Sequence, residues 1–381
     1  MTVATGASEP HVISGLEGVL ATESSIASID GPNGVLSYRG YNVREFADDA
    51  DFLAVTYLLW YERWPTAAEL ADFDTRVRGH RVLPDEVKSM VQLVPLDTAN
   101  PMAIVRTAVS LRGALDPTAD DISHEAILAK ATTVLAKLPT LVTALSRLVQ
   151  GKTPIEPDAS LDHCTNYLYM LTGERPSAED VRSLNTIMTL YAEHELNAST
   201  FATRTVVGTL SDFYSAVVAG VAALKGPLHG GAVDDAMRLF REIGSVDQVS
   251  PFLDAALAER RKIPGFGHRV YRTRDPRAYH LEAIAGRLAE SRGEPVWFEI
   301  ATRVEQEMIA RKRINANVDY FAALALYYLG FPLNMFTSFI TSSRIAGWTA
   351  HIAEQYANNR LIRPRALYTG QSGLHYQPIA G

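Results

Sequence analysis

A single cysteine, Cys164, occurs in 381 residues. No intrachain disulfide can form, and a multi-cysteine metal site is excluded. Cys164 lies in LDHCTNYLYML among apolar neighbours, a setting for a buried, inert thiol rather than a reactive one. Basic charge is also short: 36 Lys and Arg against 43 Asp and Glu leave a formal net charge of -7. That balance argues against a broad nucleic-acid footprint, because phosphate binding calls for a surplus of cations. No segment reads as an unbroken run of the roughly 20 apolar residues that span a membrane. The richest, 320–348, is interrupted by Gly330, Pro332, Asn334 and Arg344. The start, MTVATGASEPHV, has neither a basic patch nor an apolar run of signal-peptide length. A soluble cytoplasmic protein is expected. There is no 20- to 50-residue repeat and no low-complexity linker.

What is present is apolar residue, 47% of the chain, enough for a large core and for about two domains. The one strand signal is early, where SSIASID and VLSYRGY flank Gly31-Pro32-Asn33-Gly34, and it reads as one small hairpin. Helical punctuation follows: Thr66-x-x-Glu69 after Pro65, and Ser177-x-x-Asp180 before a stripe of Leu184, Ile187, Met188 and Tyr191. In SDFYSAVVAGVAALKG the small residues Ala216, Ala219, Gly220 and Ala223 allow close helix approach, in the core or at a subunit interface. Further helical patterns cover 121–150, 232–242, 248–262, 276–292, 296–312, 319–330 and 334–358, so the fold is almost wholly α. Gly-Pro at 226–227 and Gly-Phe-Pro at 330–332 are compatible with hinges.

Four stretches combine Gly, His, Arg, Asn and Asp. HELNAST, from His194 to Thr200, is either a polar helix-end cluster or a site, and Ala198 rules out a zinc-protease helix. In GPLHGG, His229 is enclosed by Gly226, Pro227, Gly230 and Gly231; it either caps a turn or presents a ring nitrogen to a closely approaching ligand. KIPGFGHRVYRTRDPRA sets His268 after Gly265, Phe266 and Gly267 and then delivers Arg269, Arg272, Arg274 and Arg277. Val270 breaks any dinucleotide-loop pattern. The four guanidiniums read as a solvated basic turn or as a grip on phosphate or carboxylate. In NANVDYF, Asp319 is an N-cap or a general base made more basic by desolvation. Arg344 lies within FTSFITSSRIAGWTAHIA and needs an anionic partner, and Arg363 follows in LIRPR.

Taken in order, HELNAST, GPLHGG, GFGHRVYRTRDPR, NVD, SSRIAGW and RPRALYTG resemble the motif series of the citrate synthase family. The likeness runs from GLEGVLATESSIASID to RPRALYTG and suits the short bacterial and archaeal members, 2-methylcitrate synthases included. It implies an all-α, two-domain helical fold with a small N-terminal β-hairpin, the large domain from residues 1–225 and 330–381, the small one from 226–329. It makes His229, His268 and Asp319 the catalytic trio, condensing acetyl-CoA with oxaloacetate through an enol and a citryl thioester. It gives His194, Arg277 and Arg344 to the oxaloacetate pocket. It also implies a homodimer in which Arg363 reaches the neighbouring active site. Arg272 matches the position that contacts CoA phosphate; Gly265, Phe266 and Gly267 resemble the loop around the adenine, with Arg269 beside it. No metal or other cofactor is implied. Two departures stand out: Ala322 occupies a place where many relatives carry a small hydroxyl or glycine, and the extension of NADH-regulated relatives is missing, so no NADH site is expected.

Three rivals make distinct demands. A 2-methylcitrate synthase would use propionyl-CoA in the same mechanism, a difference of one methylene that a few pocket side chains decide. A non-catalytic CoA or metabolite sensor should lack one of the trio, and all three are present. A metal hydrolase needs ligands at short helical spacing or a cysteine cluster, and the sequence offers neither.

Overall fold

The computed structural model describes residues 12–379; most of the N-terminal stretch read above for a leader lies outside them. Among the described residues there are sixteen α-helices: α1 (Val43–Phe46), α2 (Phe52–Tyr61), α3 (Ala67–Gly79), α4 (Asp85–Leu93), α5 (Pro101–Ala114), α6 (His124–Leu148), α7 (His163–Thr172), α8 (Ala178–Tyr191), α9 (Ala198–Val207), α10 (Phe213–Leu224), α11 (Ala232–Ile243), α12 (Val249–Ala258), α13 (Pro276–Arg292), α14 (Val296–Lys312), α15 (Val318–Tyr328) and α16 (Phe336–Ala357). The expected all-α architecture is what the chain adopts.

Helix starts follow the side chains that satisfy their free N–H groups. Thr66 and Glu69 form a reciprocal capping box at α3, and Ser177 accepts from Asp180 N at α8. The stripe Leu184, Ile187, Met188 and Tyr191 is buried throughout.

The expected hairpin is present but extended. Strands β1 (Ala27–Asp30), β2 (Val35–Tyr38) and β3 (Tyr41–Asn42) make an antiparallel meander, with Asp30 opposite Val35 and Tyr38 opposite Tyr41. The third strand escaped the sequence reading because its turn is only Arg39-Gly40, both at positive φ. Arg39 is held there by Leu59 O, Ser25 Oγ and Glu62.

Helix α6 qualifies the sequence reading that no segment approaches a membrane span. By length and composition α6 alone among the described residues could cross a membrane. It packs instead against α3, α5, α7 and α16, with most of its residues buried.

Helices α11 to α15 pack on one another, α13 and α11 against α15 and α12 against α14. Helix α16 runs through the rest, touching α2, α6, α8, α9 and α10, and is buried from Phe336 to Ile352. Gly220 on α10 lets Trp348 of α16 and Thr203 of α9 come so close that a β-carbon would lie 2.7 Å from Thr203 Oγ1. The small-residue face of α10 is thus used within the chain.

Candidate active site

Helix α16 fixes the segment after α8 one contact at a time. Arg344 Nε donates to Tyr191 O at 2.8 Å, Gly347 N lies 3.0 Å from Ala192 O, and His351 Nε2 lies 3.1 Å from Glu193 Oε1. Only glycine fits at 347, because a β-carbon there would come within 2.0 Å of Glu193 Oε2. This clip leads straight into His194, which is buried. His194 Nε2 meets Tyr271 Oη at 3.2 Å and its ring stands edge-on to His268 at 5.3 Å. Burial, then the charges of Arg277 and Arg344, keep His194 neutral and hold its pKa well below the ordinary value. His194 is therefore the point near which Arg277, His268, Arg344 and His229 come together.

His229 and His268 carry their protons on opposite nitrogens. At His229, Nε2 faces the Ser199 N–H at 3.3 Å, shared with the Asn197 cap of α9, and Ser199 Oγ at 2.8 Å. A main-chain N–H can only donate, so Nε2 accepts and the ring proton lies on Nδ1. At His268, Nδ1 accepts from the N–H groups of Val270 and Tyr271, both at 3.0 Å, which puts the proton on Nε2. Burial lowers both pKa values to about 4, helped by Arg344 at His229 and by Arg277 at His268. Both rings are neutral hydrogen-bond donors near pH 7.

Asp319 sits in the first turn of α15, whose N-cap is Asn317, so the carboxylate is not the cap. Burial raises it to about 6, against the lowering effect of a hydrogen bond from Tyr191 Oη to Oδ1 at 2.8 Å. A carboxylate poised there is a competent base near neutral pH. The GFG segment ties it to His268: Gly267 N donates to Asn315 O, Asn317 N to Gly265 O, and Asn317 Nδ2 to Gly267 O. Gly265 has φ +79 and would place a β-carbon 2.6 Å from the Tyr320 ring. Tyr320 in turn packs on Phe266 at 4.7 Å, and Ala322 is enclosed in the core.

The arginine run does not act as one patch. Arg277 is buried and held by Asp275 through Nε at 3.0 Å and Nη2 at 2.8 Å. Asp275 also accepts from Val318 N, joining the starts of α13 and α15. Burial alone would raise the Asp275 pKa; Arg277 outweighs it and keeps the carboxyl below its ordinary range. Arg274 is spent on Glu282 and Glu305. Arg269 lies 3.6 Å from Glu17 at the surface, and Arg272 is exposed. The loop holding them rests on the hairpin turn, where a β-carbon on Gly31 would meet Val270 O at 2.4 Å. That second role of Gly31 was not readable from the turn motif.

Arg344 is buried, yet its Nη1 has no hydrogen-bond partner among the described residues. The opposing charge acting on it is Glu193, whose Oε2 is also without a partner. Such a guanidinium is suited to an anionic ligand. Arg363 is not brought to this site: it lies exposed beyond α16. The residue in contact with Asp319 that sequence reasoning missed is Tyr191, read as part of an apolar stripe. Its signal was the phenol itself, since a buried hydroxyl needs a partner.

The sequence matches the family described as "Citrate synthase, C-terminal domain" over residues 15–365. It is 44% identical to citrate synthase 2 of Bacillus subtilis, covering 96% of this chain and 98% of that one. It is 41% identical to the 2-methylcitrate synthase of Mycobacterium tuberculosis, covering 97% and 93%. Among solved structures, citrate synthase from Thermoplasma acidophilum, in ternary complex with carboxymethyl coenzyme A and oxaloacetate, superposes with a TM-score of 0.92 at 34% identity, covering 97% and 99%. Citrate synthase from Thermotoga maritima gives 0.87 at 39% identity, covering 97% and 98%. The fold and the site thus define a condensing enzyme of the acyltransferase type. The chain belongs to the citrate synthase family.

Proposed function

We propose that the protein condenses acetyl-CoA with oxaloacetate and water to give citrate and CoA. The observation that carries this reading is the pairing of two neutral histidines of opposite tautomer with an elevated carboxylate. Asp319 takes a proton from the acetyl methyl while His229 Nδ1–H donates to the thioester oxygen, so the enol forms without a free enolate. His268 Nε2–H donates to the ketone oxygen and protonates it as the carbon–carbon bond forms. Water then hydrolyses the citryl thioester. No metal or cofactor has a part in these steps.

Arg277, oriented by Asp275, and the unpartnered Arg344 grip the carboxylates of oxaloacetate, with His194 beside them. Arg272 contacts CoA phosphate, and Gly265, Phe266 and Gly267 border the adenine; Arg269 is a weaker contributor because Glu17 faces it. Residues 226–329 form a small domain that closes on the large one, 1–225 and 330–381, and expels water. The mutual packing of α11 to α15 supports that division.

The enzyme works in the cytoplasm as a homodimer, with Arg363 completing the neighbouring site. Exposed Leu361, Leu367, Tyr368, Leu374 and Tyr376 beyond α16 support a partner for that segment. The relatives bear both citrate and 2-methylcitrate synthase names. Side-by-side kcat/KM values for acetyl-CoA and propionyl-CoA test the reading: acetyl-CoA is expected to win, and a preference for propionyl-CoA makes the protein a 2-methylcitrate synthase instead.

A further inference from the structure

Tyr191 is the last residue of α8 and is buried, and both of its polar ends are engaged within the site. Its hydroxyl donates to Asp319 Oδ1 at 2.8 Å. Its carbonyl, one of those a helix leaves free at its C-terminus, accepts from Arg344 Nε at 2.8 Å. One residue thus joins the base on α15 to the guanidinium on α16.

We propose that Tyr191 is a positioning residue for proton abstraction: it fixes Asp319 Oδ1, leaves Oδ2 to receive the methyl proton, and ties this base to the arginine that grips the dicarboxylate. The inference rests on Asp319 being the base. Burial raises the Tyr191 pKa far above its ordinary value, so the phenol stays a donor. A donor to a carboxylate favours its charged form, and the bond stops the carboxylate from turning. Because Asp319 belongs to the proposed small domain and Tyr191 to the large one, the bond is complete only when the two are docked.

Asp319 is faced by Tyr191 at the end of α8, by Arg277 and Asp275 at the start of α13, and by Arg344 on α16. Glu305 on α14 and Asp234 on α11 turn elsewhere, to Arg274 and Thr337. The hydroxyl of Tyr191 is the direct hydrogen-bond donor to its carboxylate.

The test is Tyr191→Phe in the full-length enzyme, with the pH dependence of kcat measured by oxaloacetate-dependent CoA release. Loss of a hydrogen bond to a charged group is expected to lower kcat about 10- to 100-fold. KM for oxaloacetate should stay within about twofold, because the carbonyl held by Arg344 survives the substitution. The acidic limb of the profile should move to higher pH, since the bond that favours the carboxylate is gone. A structural role alone would leave that limb in place. If kcat stays within about twofold and the limb does not move, the inference is overturned. Should Tyr191→Phe fail to fold, 3-fluorotyrosine at position 191 keeps the shape and strengthens the donor. The limb is then expected at lower pH, and an unmoved limb overturns the inference. Asp319→Asn separates the two readings: activity retained there removes the base assignment itself, whereas an inactive Asp319→Asn beside an unshifted Tyr191→Phe removes only the role of Tyr191.

Discussion

The main-chain N–H of Ser199 lies 3.3 Å from Nε2 of His229, and that contact decides which nitrogen can serve a substrate. With the proton on Nδ1, His229 donates; the paired amides at His268 put its proton on Nε2. In the proposed mechanism, replacing either ring removes one preorganised donor aimed at developing negative charge. His229→Ala and His268→Ala should each lower kcat about 10²- to 10³-fold. Steady-state CoA release checks this, with circular dichroism to confirm folding. A loss below about tenfold at either position would remove that histidine from the catalytic assignment.

The acid limb of activity has a specific origin. Both histidines are held near 4 and Asp319 near 6, so Asp319 is the group that changes charge first as pH falls from neutrality. Its protonated form cannot accept the methyl proton. Activity should therefore fall below about pH 6 with one proton taken up. In Asp319→Asn that limb should vanish together with most of kcat. A wild-type profile flat down to pH 5 would contradict the elevated carboxylate.

These expectations also measure how much the sequence carried. The stretches around His229, His268 and Asp319 stood out because glycines and polar neighbours mark them, and the helices were legible from their caps. Tyr191 was not, because a phenol at a stripe position looks like core until its hydroxyl has a partner. Arg274 looked like part of an anion grip, but its partner Glu305 is 31 residues away on α14 and no local pattern announces it. The third strand depends on Arg39 tolerating φ 47, which Ser25, Leu59 and Glu62 make possible from elsewhere in the chain.

Asp275 and Arg277 form a buried pair whose loss should be felt in both stability and binding. Asp275→Ala leaves the Arg277 charge buried and frees the start of α15, so unfolding stability at pH 7 should drop by about 3–5 kcal/mol. Because the folded Asp275 pKa lies below its unfolded value, this stabilisation is present above roughly pH 4 and is lost as pH falls through the folded value. Urea melts at pH 7 and pH 3 check the sign. A variant that loses no stability at pH 7 would show that the pair is not held as described.

Arg344 links stability to ligand. A buried guanidinium with a free Nη1 gains a partner only when an anion enters. At about 100 times its Kd, oxaloacetate should stabilise the folded enzyme by about 2.7 kcal/mol, seen as a raised Tm. Arg344→Gln should retain the fold and lose that shift. If the variant still responds like the parent, the dicarboxylate is held elsewhere.

Arg363 is exposed on its own chain, so its placement in a neighbouring site is decided by complementation. Arg363→Ala and Asp319→Asn should each be nearly inactive as pure homodimers. In a mixed dimer, one site has Asp319 from the Arg363→Ala chain and Arg363 from the other chain, and is intact. The second site lacks both. With equal amounts re-associated at random, half of the dimers are mixed, so about a quarter of the sites should recover activity. If Arg363 served its own chain instead, every site would lack one residue or the other and mixing would restore nothing. Denaturing the two variants together, refolding them and assaying CoA release therefore separates the shared site from the self-contained one.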